Sequence, residues 1–320
     1  MIQPAEIRMI RTLSSRHTPC AVAGHEFDRS EEGTAGKASS GIRRMSESEF
    51  QALTQANTHP RPPISAAIIC HNELHNISRC LEALEFCDEI VVVDSGSTDG
   101  TRQLVEAHSK TRLLTRPFDT FINQKNFALD ACRHDWVLSV DADEVITPPL
   151  RREIAALDFT AAGYLIGRRT FLGEQEIRHG TWNPDYNLRL FHRSHGRWGG
   201  TNPHERVVLD APAVRLAQRM LHYSYRNRQE FLARNEKYTR MIVDYVAQRG
   251  HRPYLGEPLI HAAGNFVKAY LVKQGFRDGR AGLFIAWHTA RLSHLKYQLL
   301  SERSRLPSRT SQQSELKHVA

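Results

Sequence analysis

The stretch Trp136-Val137-Leu138-Ser139-Val140-Asp141-Ala142-Asp143-Glu144 decides the expected fold of this chain. Its first five residues form a largely apolar run, which predicts a buried strand of a parallel sheet. The acidic residues follow directly, at the strand end where open α/β sheets bind their ligands. Two carboxylates one residue apart can share a divalent cation, and Mg²⁺ and Mn²⁺ also bind substrate phosphates. The simplest use of such a site is to hold a nucleotide diphosphate, although a solvated acidic turn would give the same pattern.

A second acidic strand end lies upstream, at Glu89–Asp94 (EIVVVD). Its β-branched, continuously apolar residues predict a strand covered on both faces. The Ser/Gly/Thr/Asp cluster at 95–101 is typical of a turn that caps the next helix. We therefore expect Asp94 and Asp141 at the same edge of one sheet.

An earlier strand is predicted at Ile64–Cys70, followed by His71-Asn72-Glu73 and a helix from about His75 to Phe86. Strands thus alternate with helices at the crossover lengths that a parallel sheet needs. Further strands are predicted at residues 163–172 and 187–193. The fold class is α/β with a central, mostly parallel sheet.

Composition and charge exclude several classes of protein. Five cysteines without a CxxC pair predict neither a disulfide framework nor a zinc site, and favour a reducing, cytoplasmic compartment. No run approaches the roughly 18 apolar residues of a membrane span, and the N-terminus lacks a signal-peptide core. The net charge of +8 comes from the last third, because residues 215–320 carry 19 Lys/Arg and 7 Asp/Glu. Such a segment suits a solvated surface, a nucleic-acid patch or an anionic membrane.

We expect four segments along the chain. Residues 1–60 are predicted to be a disordered extension with a candidate short helix near Glu47–Ala56, and residues 306–320 to be a tail. Residues 61–225 would form the α/β domain, with halves at 61–150 and 151–225. Residues 226–305 are predicted to be helical and basic. Their aromatic and basic side chains on amphipathic helices suit an element lying on a lipid surface, or an ordinary packed helix.

Four motifs in order carry a family resemblance: AAIICHNELHNISRCLEAL, EIVVVDSGSTDGT, QKNFAL and WVLSVDADE. Together they resemble the nucleotide-sugar domain of family-2 glycosyltransferases, which have the GT-A fold. Residues 180–186, 188–193, 204–207 and 266–297 resemble the subgroup that adds glucose or a related sugar to the lipopolysaccharide inner core. The chain departs from many members after the first strand, where Ile69-Cys70-His71 replaces the common Pro-x-Tyr.

The resemblance implies a role for each matching residue on the donor side. Asp143 would be the ligand of Mg²⁺ or Mn²⁺, and Asp141 would contact either the ribose or the metal. Asp94 would contact the base or ribose. The remaining donor-binding residues are Asn72, Glu73, Lys125 and Asn126.

On the acceptor side, the general base should be a carboxylate, because the accepting hydroxyl must lose its proton. Glu205 in the His204-Glu205 motif is the first candidate and Asp185 the second. His204 is predicted to bind the acceptor or a phosphate. Trp182 could stack on a sugar face and Arg189 could bind a phosphate, or both could be internal packing and ion pairing.

The resemblance implies an inverting transferase that uses a nucleotide-diphosphate sugar, with uridine diphosphate glucose favoured. Its acceptor would be a lipid-linked glycan of the lipopolysaccharide core. The basic C-terminal third predicts a peripheral protein on the anionic inner face of the cytoplasmic membrane. Alternatives are a capsule or polyprenyl-linked glycan acceptor and, in a different class, a basic nucleic-acid-binding protein. No nucleic acid is expected, since no RRM, KH or zinc-finger signature is present. A sugar nucleotidyltransferase would carry a Gly-rich loop directly after the first strand, and this chain has none there, which disfavours that function. A catalytically silent scaffold would be expected to lose Asp143 or Glu205, and both residues are present.

Overall fold

The computed structural model of the protein describes residues 61–201, 204–247 and 253–305. The expected extension at 1–60, its short helix and the tail at 306–320 lie outside these residues. The β-strands are β1 (Ile64–Cys70), β2 (Glu89–Asp94), β3 (Thr111–Thr115), β4 (Trp136–Asp141), β5 (Glu144–Val145), β6 (Gly163–Leu172), β7 (Gln175–Ile177), β8 (Tyr186–His192), β9 (Gly196–Thr201), β10 (His204–Leu209) and β11 (Val214–Tyr225). The α-helices are α1 (Ile77–Ala83), α2 (Thr101–Ala107), α3 (Phe121–Ala131), α4 (Pro148–Ala155), α5 (Arg228–Ala247), α6 (Glu257–Val267) and α7 (Gly279–Arg305).

The strands predicted from the sequence are present with nearly the expected bounds, whereas the first helix is shorter. It begins at Ile77 rather than near His75, because the Glu73 carbonyl first accepts from the amides of Asn76 and Ile77 in a turn. It ends at Ala83, after which Leu84 donates to the carbonyl of Leu81 three residues earlier.

The central sheet places both acidic strand ends at one edge, as predicted. Among the described strands its order is β3-β2-β1-β4-β8-β6-β11-β5, and β3, β2, β1 and β4 are all parallel. In this register Cys70 lies opposite Asp94 and Ile69 lies opposite Asp141. β8 pairs antiparallel with β4 and β6, β11 runs parallel to β6, and β9 and β10 form a separate hairpin.

Both faces of the parallel strands are covered, which explains their continuous apolar sequences. Ile64 and Ile68 of β1 point to one side and pack in a cluster with Ile77 and Leu81 of α1. Ala67 points to the other side and packs in a cluster that contains Leu129 of α3. The α/β class is therefore confirmed, with the parallel strands sandwiched between helical layers.

The described residues after β11 are mostly helical, as their periodicity predicts. α5 is followed by α6, a π-helical turn (Lys268–Val272), a 3₁₀ turn (Gly275–Asp278) and the long α7. Among the described helices, none is both long enough and apolar enough to span a bilayer. The four described cysteines, Cys70, Cys80, Cys87 and Cys132, are free thiols.

Candidate active site

A cleft of about 850 Å³ opens at the carboxyl edge of the parallel strands. The loop after β1 forms one wall, the end of β4 forms the floor, and β10, β11 and α5 complete it. Six residues predicted from the sequence line this one cleft: Asn72, Glu73, Lys125, Asp141, Asp143 and Glu205. The tertiary structure therefore brings together these six residues from four separate stretches of chain.

Lys125 joins the two sides of the cleft. Its ammonium nitrogen lies 2.9 Å from Asp141 Oδ1 and 3.2 Å from Glu205 Oε1. The same nitrogen lies 4.3 Å from the centre of the Trp198 ring, a favourable position for a cation. Only 7 % of the Lys125 side chain is exposed. This buried cation thus bridges the expected donor carboxylate and the expected base.

Asp141 is held by a second cation from beneath the cleft. Arg189 on β8 places Nη2 2.5 Å from Asp141 Oδ2 and 2.5 Å from Glu144 Oε1. Burial acts to raise the pKa of Asp141, but Arg189 and Lys125 outweigh it, so that this pKa lies well below its ordinary value. Both carboxylate oxygens of Asp141 are thus committed to cations. Arg189 itself is buried in this ion pair and is not among the cleft-lining residues.

Asp143 faces a histidine that the sequence analysis did not identify. His222 Nε2 on β11 lies 3.6 Å from Asp143 Oδ2, and both side chains line the cleft. Burial acts to raise the pKa of Asp143, whereas the neighbouring His222 lowers it, and the net shift is downward. An ionised carboxylate is the kind of ligand that Mg²⁺ and Mn²⁺ prefer, together with substrate phosphates, and a neutral imidazole is a common metal ligand.

Glu205 has one carboxylate oxygen that is paired and one that is not. Its Oε1 contacts Lys125, while its Oε2 is buried and has no hydrogen-bond partner among the described residues. A buried carboxylate oxygen without a donor costs free energy unless a bound molecule supplies one. Asp185, the second candidate base, is instead paired with Arg168 at 2.6 Å and is not among the cleft-lining residues.

The loop after β1 carries the two remaining donor-side residues in the cleft. Asn72 adopts the left-handed conformation (φ 58°), and its side-chain oxygen accepts from the amide of Thr98 at 2.9 Å. This bond ties the loops after β1 and β2 together. Burial raises the pKa of Glu73 to about 7, against the opposing hydrogen bond from Asn76.

Asp94 lies at the predicted sheet edge but turns into its own loop. Its oxygens accept from the amides of Gly96 (2.9 Å) and Ser97 (3.0 Å) and from Arg102 (3.2 Å). Burial acts to raise its pKa, but the hydrogen bonds of Ser97 outweigh it and the net shift is downward. The side chain is fully buried and is not among the cleft-lining residues, so its contact with base or ribose stays a prediction.

Two other predicted residues, Asn126 and Trp182, support the fold around the cleft, and a third, His204, has a side chain that is not described. Asn126 accepts from and donates to the backbone of Trp198, at 3.0 and 2.9 Å, and so fixes the ring that Lys125 contacts. Trp182 packs against Tyr225 and Phe231. His204 is the first residue of β10, and its side chain lies outside the described part of the structure. The assigned roles of these three residues stay predictions.

Sequence reasoning missed the contribution of β11 and α5. His222, Arg234 and Tyr238 line the cleft beside Asp143. Burial acts to lower the pKa of Arg234, but Tyr238 and Asp143 raise it by more than burial lowers it, and the net shift is upward. The only local signal was a histidine in the middle of a strand and an arginine on an amphipathic helix, which are ordinary features of a surface.

The chain is similar to several known proteins. A family model described as glycosyl transferase family 2 matches residues 65–209. The lipopolysaccharide core biosynthesis glycosyltransferase LpsC of Rhizobium meliloti is 30% identical over 268 residues, which cover 81% of this chain and 99% of that protein. An uncharacterized glycosyltransferase of Rickettsia bellii is 39% identical over 92 residues, which cover 28% of this chain and 31% of that protein. The crystal structure of S. aureus TarS 1–349 aligns with a TM-score of 0.39 at 16% identity, covering 76% of this chain and 91% of that one.

Proposed function

The chain belongs to glycosyl transferase family 2, and on that premise we propose that it moves a hexose from a nucleotide-diphosphate sugar to a lipopolysaccharide-core glycan. It is an enzyme that transfers sugars. The lipopolysaccharide-core acceptor is supported by the similarity to LpsC, which extends over nearly the whole of that protein. Glucose carried by uridine diphosphate is the donor that we propose, and inversion at the anomeric carbon is the proposed outcome.

The mechanism rests on one observation, the different surroundings of the two carboxylate oxygens of Glu205. One of its oxygens is anchored 3.2 Å from Lys125, and the other is buried without a partner in the cleft wall. An acceptor hydroxyl that donates to Oε2 would supply the missing hydrogen bond and stand ready to lose its proton there. Glu205 is therefore the proposed general base, ahead of Asp185, whose carboxylate is neutralised by Arg168.

The bonds change in a single displacement. The acceptor oxygen forms a bond to the anomeric carbon of the sugar as the bond from that carbon to the diphosphate oxygen breaks. The proton of the acceptor hydroxyl passes to Glu205, and the electron pair of the broken bond leaves with the diphosphate. One displacement from the face opposite the leaving group inverts the configuration, without a covalent intermediate on the enzyme.

The side chains on the far side of the cleft fit a divalent ion and the diphosphate. Asp143 and His222 would hold Mg²⁺ or Mn²⁺, because a carboxylate held ionised and an imidazole nitrogen already face each other there. When bound, the ion would stabilise the negative charge that develops on the diphosphate. Arg234 and Lys237 of α5 line the same cleft and add positive charge for that purpose. Asp141 is proposed to contact the ribose rather than the metal, since Lys125 and Arg189 already occupy its oxygens.

The test compares Glu205→Gln with Asp185→Asn. Glu205→Gln should lower turnover about 100-fold or more while the affinity for the nucleotide stays unchanged. Asp185→Asn should have a much smaller effect on turnover at equal folded fraction. Full turnover in Glu205→Gln would refute the assignment of the base. The anomeric configuration of the product, read by NMR, tests inversion directly.

Donor and acceptor need separate measurements. Calorimetry with UDP-, GDP-, ADP- and dTDP-glucose, each with and without Mn²⁺, should show metal-dependent binding of the uridine donor. Failure of every donor to bind would contradict the transferase proposal. Transfer of labelled glucose to purified lipopolysaccharide core, but not to a polyprenyl-linked or capsule glycan, would support the proposed acceptor, and the reverse result would replace it.

A further inference from the structure

The exposed face of α6 and the π-helical turn that follows it is apolar. Two rows of exposed residues run along it at four-residue spacing, and residues at that spacing share one face of a helix. One row is Leu259, Ala263, Val267 and Leu271, and the other is Ile260, Gly264, Lys268 and Val272. The exposed fraction reaches 67% at Leu259 and 68% at Val272. Lys268 is the one charged residue in these rows, whereas a helix of a globular protein ordinarily turns mainly charged and polar residues toward water.

The side of the same helix that packs on α7 carries polar side chains as well as apolar ones. Asn265 donates a hydrogen bond to Ser293 of α7 at 2.9 Å. His261 stacks on Tyr297 of α7 with ring centres 4.3 Å apart. The polar side chains of Asn265 and His261 thus contact α7, while Leu259, Ile260 and Val267 face outward.

Aromatic contacts extend this face beyond α6. Trp287 of α7, 61% exposed, contacts Phe266, and Phe266 contacts Tyr270. Tyr270 in turn contacts Phe276, which is 49% exposed. We call the exposed apolar residues of 259–287 the C-terminal apolar surface, comprising Leu259, Ile260, Ala263, Val267, Leu271, Val272, Phe276, Leu283 and Trp287.

Every exposed charge close to this surface in sequence is positive. The exposed basic residues are Lys268, Lys273, Arg277, Arg280 and Arg291. The acidic residues between 257 and 301 are Glu257 and Asp278, and they are only 4% and 8% exposed. Asp278 is turned inward to His179, at 2.9 Å. Basic side chains around an apolar face match a bilayer, whose anionic head groups lie above its acyl chains.

We propose that the C-terminal apolar surface docks on an anionic lipid bilayer. Leu259, Leu271, Val272 and Trp287 enter the boundary between head groups and acyl chains, while Lys268 and its basic neighbours contact lipid phosphates. A second copy of the chain fits less well, because a two-fold interface would set like charges around a shared apolar patch. Phe284 of the same α7 contacts Phe231 of α5, so the docked element also supports the helix that lines the cleft.

The apolar part of the proposal is tested by vesicle flotation of the full chain, without sugar donor. Vesicles of phosphatidylcholine alone are compared with vesicles containing phosphatidylglycerol. The surface variant carries four substitutions: Leu259→Gln, Leu271→Gln, Val272→Gln and Trp287→Gln. The matched control is Val208→Gln/Val214→Gln, two apolar residues that are also half exposed but lie on β10 and β11. We expect wild type and control to bind the anionic vesicles, and the surface variant to partition at least about tenfold more weakly.

The charged part is tested with Gln at Lys268, Lys273, Arg277 and Arg280. Each lost basic residue should weaken binding to anionic vesicles about fivefold at low salt, and the salt dependence should flatten. Thermal melts and nucleotide affinity verify that each variant is folded. Equal binding of wild type and surface variant, or equal binding to neutral and anionic vesicles, would overturn the proposal. A wild-type dimer that the surface variant dissociates, together with no vesicle binding, would assign the surface to a second copy instead. Because no sugar is transferred, these outcomes are independent of the transferase assays.

Discussion

Replacing Lys125 by methionine should destabilise the protein by leaving Glu205 buried without its cation. Methionine keeps most of the methylene stem of lysine and removes only the charge. Lys125 is the one cation within 4 Å of Glu205 among the described residues, and the two side chains are 7% and 14% exposed. Asp141 keeps its second partner, Arg189, at 2.5 Å.

The size of the effect follows from these contacts. Removing one partner of a buried ion pair costs about 3–5 kcal/mol, because the other charge stays buried and unpaired. Since only Glu205 loses its sole cation, the low end applies, about 3 kcal/mol. Loss of the cation over the Trp198 ring at 4.3 Å adds roughly 0.5–1 kcal/mol. We expect the free energy of unfolding to fall by about 3.5–4 kcal/mol.

The assay is a double-mutant cycle by urea denaturation, with Lys125→Met, Glu205→Gln and the double variant. A glutamine at 205 carries no charge, so the double variant should recover about 2 kcal/mol relative to Lys125→Met. Lys273→Met, at an exposed lysine, serves as the control and should change stability by about 0.5 kcal/mol or less. A coupling energy below about 0.5 kcal/mol would refute the view that Lys125 neutralises Glu205.

Three further predictions follow from single contacts. The folded protein holds the proton of Glu73 up to about pH 7, whereas the unfolded chain releases it near its ordinary pKa of 4.5. The free energy of unfolding of wild type therefore falls as pH rises between those values. The melting temperature of Glu73→Gln relative to wild type should therefore increase from pH 5 to pH 8, and a flat difference would contradict the raised pKa. His222→Ala should weaken Mn²⁺-dependent UDP binding at least about tenfold in calorimetry, with metal-free binding unchanged; equal loss in both would exclude a role as metal ligand. Gly282→Ala should lower the free energy of unfolding by about 2–3 kcal/mol, since the added methyl overlaps a backbone carbonyl, while Gly264→Ala meets open space and should be neutral or stabilising.

The strands and their acidic ends could be predicted from the sequence because their signals are local. A continuous β-branched run is covered on both faces whatever its neighbours are, and it ends where the apolar residues end. β1, β2 and β6 begin and end where the periodicity predicts. Parallel pairing then places Asp94 and Asp141 at one edge without further information, because parallel strands align their carboxyl ends.

Which of these side chains reach the cleft was decided by tertiary contacts. Asp94 is drawn into its own turn by Ser97 and Arg102, whereas Asp143 meets His222, 79 positions further along the chain. Lys125 meets Glu205 only because α3 packs beside the β9–β10 hairpin, where Asn126 holds Trp198. Ion pairs between distant residues leave no periodic trace in a sequence.

The C-terminal helices show the same division. Their basic and aromatic residues are visible in the sequence and predict an amphipathic region. A helix with apolar residues on one side and polar residues on the other does not by itself say which side faces the protein. The contacts of His261 and Asn265 with Tyr297 and Ser293 on α7 determine this, and they leave Leu259, Ile260 and Val267 of α6 facing outward. Local periodicity thus determines the elements, and the free energy of packing one element on another determines which of their side chains remain available for binding and catalysis.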